Sequence, residues 1–197
     1  MNSATKMTIS RVLLIPIFIL FFYLDFIGHY FVATFIFVLS AITDILDGVL
    51  ARKHNETTDF GKFLDPIADK MLAITALILL VDRGLMFAPY GAIMTSIIVA
   101  REIAIGMFRS VAATKGVVLG ADKLGKIKTI FTNIAIPFMI GGGCKYEVYP
   151  APEMTIVGTV FGHLGFTIFL IAFVLTVVSG LNYILKNKHV FEKGDKK

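Results

Sequence analysis

Long apolar runs are the feature that most constrains the fold of this chain. Of its 197 residues, 56% are hydrophobic and 18 are Phe, more apolar surface than the core of a soluble domain needs. A membrane-spanning helix takes roughly 20 predominantly apolar residues. Six runs approach or exceed that length, at residues 12–24, 30–50, 67–81, 85–108, 127–140 and 154–185. The sequence therefore predicts an all-α integral membrane protein with six transmembrane helices, in a single domain over residues 1–197.

Basic residues are concentrated at one set of the predicted helix ends, and Arg83 and Lys145 stand at the other. By the positive-inside rule, both termini and the loops near residues 52–62 and 109–126 are expected to be cytoplasmic. The net charge of +5 is then a property of one membrane face, where it attracts anionic head groups. Nucleic acid is not expected as a partner, because no soluble domain carries these charges. Membrane lipids are.

Four aspartates interrupt the second and third apolar runs near their cytoplasmic ends. On one helix an acidic stripe has spacing i, i+3, i+4, i+7, and on the next a second stripe repeats every four residues. The stripes are Asp44, Asp47, Gly48 and Ala51, then Gly61, Asp65 and Asp69. A loop of about eight residues joins the two helices, so they are predicted to be antiparallel neighbours. Both stripes then lie at the same depth, around a polar cavity on the cytoplasmic side.

Carboxylates at membrane depth need a cavity, a partner or a functional role, because exposure to hydrocarbon costs several kcal/mol. Arg52 and Lys70 can pair with one or two of the four acids. Hard divalent cations such as Mg²⁺ or Mn²⁺ favour carboxylate oxygens, and a pair of them suits phosphoryl chemistry. A small divalent-cation transporter is the alternative use of such a stripe. It is disfavoured because the outer half of the second run, "YFVATFIFVL", continues without charge.

The stretch "DILDGVLARKHNETTDFGKFLDPIAD" resembles the signature of the CDP-alcohol phosphatidyltransferases. It has two Asp three apart, then Gly, Ala and Arg, and after eight residues a Gly followed by two Asp four apart. The resemblance implies a metal site for two Mg²⁺ or Mn²⁺ ions, a general base among the acids, and a nucleotide site. The metal residues are Asp44, Asp47, Asp65 and Asp69, with Asp69 also as the base; the nucleotide and pyrophosphate residues are Thr8, Asp47, Gly48, Ala51, Arg52 and Gly61.

The chemistry that this resemblance implies is attack of an alcohol hydroxyl on the lipid-side phosphorus of CDP-diacylglycerol, with release of CMP. It also implies a multi-pass protein of the bacterial cell membrane that forms a homodimer. Thr8 enters through "TISRVLLIP", which resembles the start of the family members that make phosphatidylglycerophosphate. The asparagine common just upstream in those members is not matched, because Thr5 stands there.

A basic stretch bears on the acceptor. Arg101 and Arg109 are eight residues apart on one predicted helix, and Lys126 and Lys128 open the next. Such cations suit a phosphate on the acceptor, and Glu102 is a possible partner for Arg101. "REIAIGMFR" followed by "GKIKT" resembles the members that use glycerol 3-phosphate, which makes sn-glycerol 3-phosphate the expected acceptor and phosphatidylglycerophosphate the product. Inositol phosphate, serine and other alcohols are the alternatives within the family.

Acids and glycines far from these motifs have simpler interpretations. The acids at the predicted outer loops, Glu147 among them, are expected to be solvated. Glycines at 141–143 and around 158–165 indicate close packing. The sequence leaves open whether that packing is a contact between two helices of the chain or a subunit interface.

Overall fold

The chain forms a bundle of helices in this computed structural model. The structure describes residues 3–54, 59–114, 117, 119–120, 123–147 and 152–187, and the side chains of 3–11 and 44–69 lie outside that description. No strand occurs among the described residues, so the all-α prediction is confirmed. The helices are α1 Ser3–Tyr23, α2 His29–His54, α3 Asp59–Asp82, α4 Tyr90–Thr114, α5 Lys123–Gly141 and α6 Pro152–Asn187, with a 3₁₀ segment Gly142–Tyr146 after α5.

Three stretches of the described residues are long and apolar enough to cross a membrane. They are Tyr90–Thr114, Lys123–Tyr146 and Pro152–Asn187, and shorter apolar stretches occur at Val12–Tyr23 and His29–Thr43. Large apolar side chains are exposed along the bundle, for example Phe35 and Leu185. Such a surface is typical of a membrane protein, whose lipid-facing side chains need no burial in protein. The number of six spans stays a prediction.

The connection between α3 and α4 departs from the apolar runs for a local reason. α3 ends in a Schellman motif, in which Gly84 has a φ of +65° and the Leu85 amide donates to the Leu80 carbonyl at 2.9 Å. Pro89 then precedes α4, which begins five residues later than its apolar run. The predicted loop near 53–60 is also shorter than expected, because α2 continues to His54 and α3 begins at Asp59.

The core is formed where α1, α2, α3 and α5 meet. α1 packs against both α2 and α3, and α5 also contacts both of them, while α4 contacts α3 and α6. Fully buried Phe18, Phe37, Leu80 and Ile136 lie in this core. The arrangement places α5 against both α2 and α3, the two helices that carry the acidic motif.

The contact between α5 and α6 is close because glycines leave room for it. A Cβ placed on Gly142 would lie 2.7 Å from the Cα of Gly162, and one on Gly165 would lie 2.7 Å from the Met139 amide nitrogen. The glycine-rich stretches therefore form a helix contact inside the chain, as small residues do in membrane bundles. This answers the question that the sequence left open for these positions.

One of the outer-loop acids is not solvated, so the expectation for Glu147 was wrong. Its side chain is buried, and its Oε2 accepts a hydrogen bond of 2.9 Å from the Gly28 amide. The 3₁₀ segment carries Glu147 back over the α1–α2 connection. Burial follows from this return of the chain, which no local pattern indicates.

Candidate functional site

The acidic motif lies on two helices of the bundle. Asp44, Asp47, Gly48, Ala51 and Arg52 belong to α2, where an unbroken helix places the first four along one face. Gly61, Asp65 and Asp69 belong to α3, and Thr8 to α1. The side chains of all nine lie outside the described part of the structure. Their assignment to a metal and nucleotide site therefore stays a prediction. Among the side chains that the structure does describe, no group of three or more His, Cys, Asp or Glu could hold a metal ion.

Directly after Asp69, three cations from three helices converge on one carboxylate. Glu102 of α4 forms ion pairs with Lys70 of α3 at 3.3 Å and with its neighbour Arg101 at 3.2 Å. Lys128 of α5 contacts the same carboxylate through its Nζ. We call these four residues the Glu102 cluster. It ties α3, α4 and α5 together one residue beyond the acidic motif.

The Glu102 cluster is largely removed from solvent and carries excess positive charge. Side-chain exposure is 7% for Lys128, 14% for Arg101 and Glu102, and 40% for Lys70. Three cations and one carboxylate sum to a formal charge of +2. Charges with little access to water are stable only with a counter-charge or hydrogen-bond partners. Among the described side chains, the cluster therefore carries more positive than negative charge.

Helix α6 supports the two arginines of α4. The Nη2 of Arg101 donates to Ser179 Oγ at 3.0 Å, and Gly180 makes room for the arginine, since a Cβ there would lie 3.1 Å from Arg101 Cγ. Arg109 donates from Nε to Tyr183 Oη at 3.1 Å, and its guanidinium carbon lies 5.0 Å from the centre of that ring. Both guanidinium groups are thus held in place from α6.

A cavity of about 430 Å³ adjoins the Glu102 cluster between α3 and α4. Lys70, Glu102 and Ser110 supply polar groups to its lining, and the rest of the wall is mostly apolar, including Met71 and Met107. A small molecule in this cavity can reach the ammonium group of Lys70 directly.

The structure separates the four cations that the sequence grouped together. It brings Arg101 and Lys128 to the same carboxylate and holds Arg109 against Tyr183. Lys126 is exposed on the surface of α5 and is not brought into the Glu102 cluster. Residues two positions apart on a helix point about 200° away from each other. Lys126 and Lys128 therefore cannot face the same neighbouring helix.

Sequence reasoning missed three members of this arrangement. Lys70 was considered only as a partner of the aspartates, and Ser179 and Tyr183 were not considered as partners of the arginines. Ser179 and Tyr183 are four residues apart in a mostly apolar helix, so they share one face. That spacing was the available signal, but it did not indicate which helix the face would meet.

Comparison with known proteins places these observations in a family. A family model described as CDP-alcohol phosphatidyltransferase matches residues 1–178. A Bacillus subtilis (strain 168) protein named CDP-diacylglycerol–glycerol-3-phosphate 3-phosphatidyltransferase is 37% identical over 94% of this chain and 95% of its own length. Escherichia coli (strain K12) has a protein of the same name at 34% identity over 93% of both chains. One from Wigglesworthia glossinidia brevipalpis is 40% identical over 69% of this chain and 75% of its own length.

Proposed function

The chain belongs to the CDP-alcohol phosphatidyltransferase family, and we propose that it transfers the phosphatidyl group of CDP-diacylglycerol to sn-glycerol 3-phosphate. The products are phosphatidylglycerophosphate and CMP. The names of the relatives from Bacillus subtilis and Escherichia coli support this pair of substrates.

The Glu102 cluster is the observation that supports an acceptor with a phosphate group. A phosphate monoester carries about −1.5 to −2 charges at neutral pH, and it suits the excess of cations among the described side chains of the Glu102 cluster. Arg101 also has a buried Nε without a hydrogen-bond partner. A free serine has no net charge and offers no phosphate to these cations. Inositol phosphate matches the charge equally well, so the choice of glycerol 3-phosphate rests on the relatives' names.

The position of the cluster supports a reaction between its ligand and the acidic motif. Lys70 follows Asp69 directly in α3 and contacts Glu102. An acceptor whose phosphate is held at the cluster would therefore lie beside the part of α3 where the motif ends. Such positioning of two reactants supplies much of the acceleration in phosphoryl transfer.

The four aspartates fit a divalent metal site by the chemistry of their donors. Members of the family generally use divalent metal ions, and four carboxylates at helical spacing offer the oxygen ligands that Mg²⁺ and Mn²⁺ prefer. We assign Asp44, Asp47, Asp65 and Asp69 to hold two such ions, Mg²⁺ or Mn²⁺. When bound, they would offset negative charge on the pyrophosphate and on the departing CMP.

The remaining roles belong to side chains of the chain itself. Arg52 would hold the pyrophosphate with its guanidinium fork, and Thr8, Asp47, Gly48, Ala51 and Gly61 would surround the cytidine nucleotide. Asp69 would take the proton of the acceptor hydroxyl as its oxygen bonds to the lipid-side phosphorus. The bond from that phosphorus to the oxygen of CMP breaks, and CMP leaves with the electron pair.

The membrane arrangement follows from the same proposal. The chain forms a single domain with six spans in a bacterial cell membrane. Both termini and the polar cavity lie on the cytoplasmic side, so the water-soluble acceptor has access to the site. The donor's acyl chains remain among the apolar side chains of the bundle. A homodimer is the expected assembly.

Release of CMP from CDP-diacylglycerol by the purified protein tests the proposal. Detergent-solubilised enzyme with Mg²⁺ or Mn²⁺ is given glycerol 3-phosphate, inositol phosphate or serine at equal concentration, and CMP is measured by chromatography. We expect release with glycerol 3-phosphate at a rate at least tenfold above the other two acceptors. Equal or greater release with inositol phosphate would overturn the acceptor, and no release with any of the three would overturn the activity.

A further inference from the structure

A second polar pocket lies at the end of the bundle opposite the acidic motif, and three of the residues that line it each have a buried polar atom without a partner. We propose that it binds the head group of an aminophospholipid, a small zwitterion with a primary ammonium and a phosphate. The pocket has a volume of about 230 Å³ and is lined by Asp25, His29, Arg83 and Glu147 with four aromatic or apolar neighbours. Along α2, His29 and Asp44 are about 22 Å apart at ~1.5 Å per residue, so the two sites are distinct.

The charged walls of this outer pocket are held in place by the fold. Glu147 is 7% exposed, and its Oε2 accepts from the Gly28 amide at 2.9 Å. Arg83 lies over the ring of Tyr23, 4.6 Å from its centre, and its Nη2 donates to the Tyr23 carbonyl at 3.3 Å. His29 is 5% exposed, and its ring centre lies 4.0 Å from that of Tyr30. The pocket is therefore a built structure and not a gap between mobile surface chains.

Each of these three side chains has one polar atom left without a partner. The atoms are His29 Nδ1, Arg83 Nε and Glu147 Oε1, which are three of the five such buried atoms among the described side chains. Buried polar groups in native proteins are otherwise nearly always hydrogen-bonded. Their concentration around one cavity points to a ligand that both donates and accepts hydrogen bonds.

The charges define that ligand further. Asp25 and Glu147 are negative and Arg83 is positive, so the lining offers ionic partners of both signs. An ammonium group supplies the donor and positive charge that Glu147 Oε1 needs, and a phosphate supplies the acceptor that Arg83 Nε needs. Water can satisfy the hydrogen bonds, whereas a zwitterion also gives the carboxylate and the guanidinium an ion-pair partner each. A phosphoethanolamine group has eight non-hydrogen atoms, and at ~30 Å³ per water-sized group the cavity has room for roughly that number.

The surroundings favour a lipid over a free zwitterion. Phe26 and Ile27 line the pocket and are exposed, Ile27 to 69%. Exposed apolar side chains beside a polar pocket at a helix end match the boundary between head groups and acyl chains of a bilayer. The free phosphoethanolamine molecule has the same polar groups but makes no use of these side chains.

Native mass spectrometry of the full-length, detergent-solubilised protein tests this proposal. The protein is titrated with dioleoyl phosphatidylethanolamine, phosphatidylcholine, phosphatidylglycerol and free phosphoethanolamine. We expect one phosphatidylethanolamine to bind with a Kd at least tenfold below that of the other three. Phosphatidylcholine lacks ammonium protons for Glu147, and phosphatidylglycerol lacks the ammonium group. Equal Kd values for the three lipids would overturn the proposal, and equally tight binding of free phosphoethanolamine would overturn the lipid as its source.

Glu147→Gln is the most direct test of the carboxylate. Its amide oxygen can still accept from the Gly28 amide, while its NH₂ group replaces the unpartnered acceptor Oε1. We expect the Kd for phosphatidylethanolamine to rise at least tenfold. Glu153→Gln, on the exposed first turn of α6, is the matched control and should leave the Kd unchanged. Unaltered binding by Glu147→Gln that elutes normally in gel filtration would contradict the proposal. If that variant fails to fold, Arg83→Gln must show the same loss.

Discussion

Replacing Lys128 and Lys126 one at a time distinguishes the structure from the sequence pattern. Both lysines are in the basic stretch that opens α5, but Lys128 contacts Glu102 and is buried, whereas Lys126 is exposed. We expect Lys128→Met to weaken binding of glycerol 3-phosphate and Lys126→Met to leave it nearly unchanged. Methionine keeps a similar length and helix propensity in both variants.

The magnitude follows from the charges of the Glu102 cluster. Removing Lys128 lowers its formal charge from +2 to +1 and removes one charged hydrogen-bond donor to the phosphate. A hydrogen bond to a charged group contributes about 1.5–3 kcal/mol, which corresponds to a rise of about 10- to 150-fold in the acceptor's KM. Glu102 keeps Lys70 and Arg101 as partners. The carboxylate is thus not left unpaired, and the loss of folding stability should be smaller than for the usual broken buried pair, ~3–5 kcal/mol.

The assay is CMP release as a function of glycerol 3-phosphate at saturating CDP-diacylglycerol, repeated as a function of the donor at saturating acceptor. Lys128→Met should raise the acceptor's KM by at least tenfold and the donor's KM by less than twofold, and Lys128→Arg should recover part of the loss. Equal effects of Lys126→Met and Lys128→Met would refute the reasoning from burial. So would an unchanged acceptor KM in Lys128→Met.

Three further predictions follow from the same structure. Asp69→Asn should lower the rate of CMP release by about 10²- to 10⁴-fold, because the general base is lost. Binding of CDP-diacylglycerol, measured by calorimetry, should persist. Full activity of the variant would remove Asp69 from that role. Arg109→Ala should raise the KM for glycerol 3-phosphate about tenfold and the donor's KM less; if both rise equally, Arg109 supports the fold and not the acceptor. Gly142→Ala should lower the free energy of unfolding by about 1–3 kcal/mol, because the added methyl meets Gly162. Gly125→Ala, with open space around its Cβ, should be neutral or stabilising in thermal unfolding. Equal melting temperatures of the two variants would contradict the close packing.

Much of this protein is determined by its sequence at short range. Apolar runs predicted the helices because a backbone surrounded by lipid must form its hydrogen bonds within its own segment. Each run overlaps a helix of the structure. The spacing of Asp44 and Asp47 predicted one face of α2 because helical periodicity is a local property. The family could be inferred from the motif for the same reason, since its chemistry depends on residue types at set distances along two consecutive helices.

The tertiary structure decided which faces meet. Arg101 and Ser179 are 78 residues apart, and only the packing of α4 against α6 brings them within 3.0 Å. Lys128 and not Lys126 reaches Glu102 because α5 presents one face to α3 and α4. Glu147 is buried because the chain returns over the α1–α2 connection. A helix carries the same periodicity whichever neighbour it packs against, so partners from distant segments depend on the packing of the whole bundle.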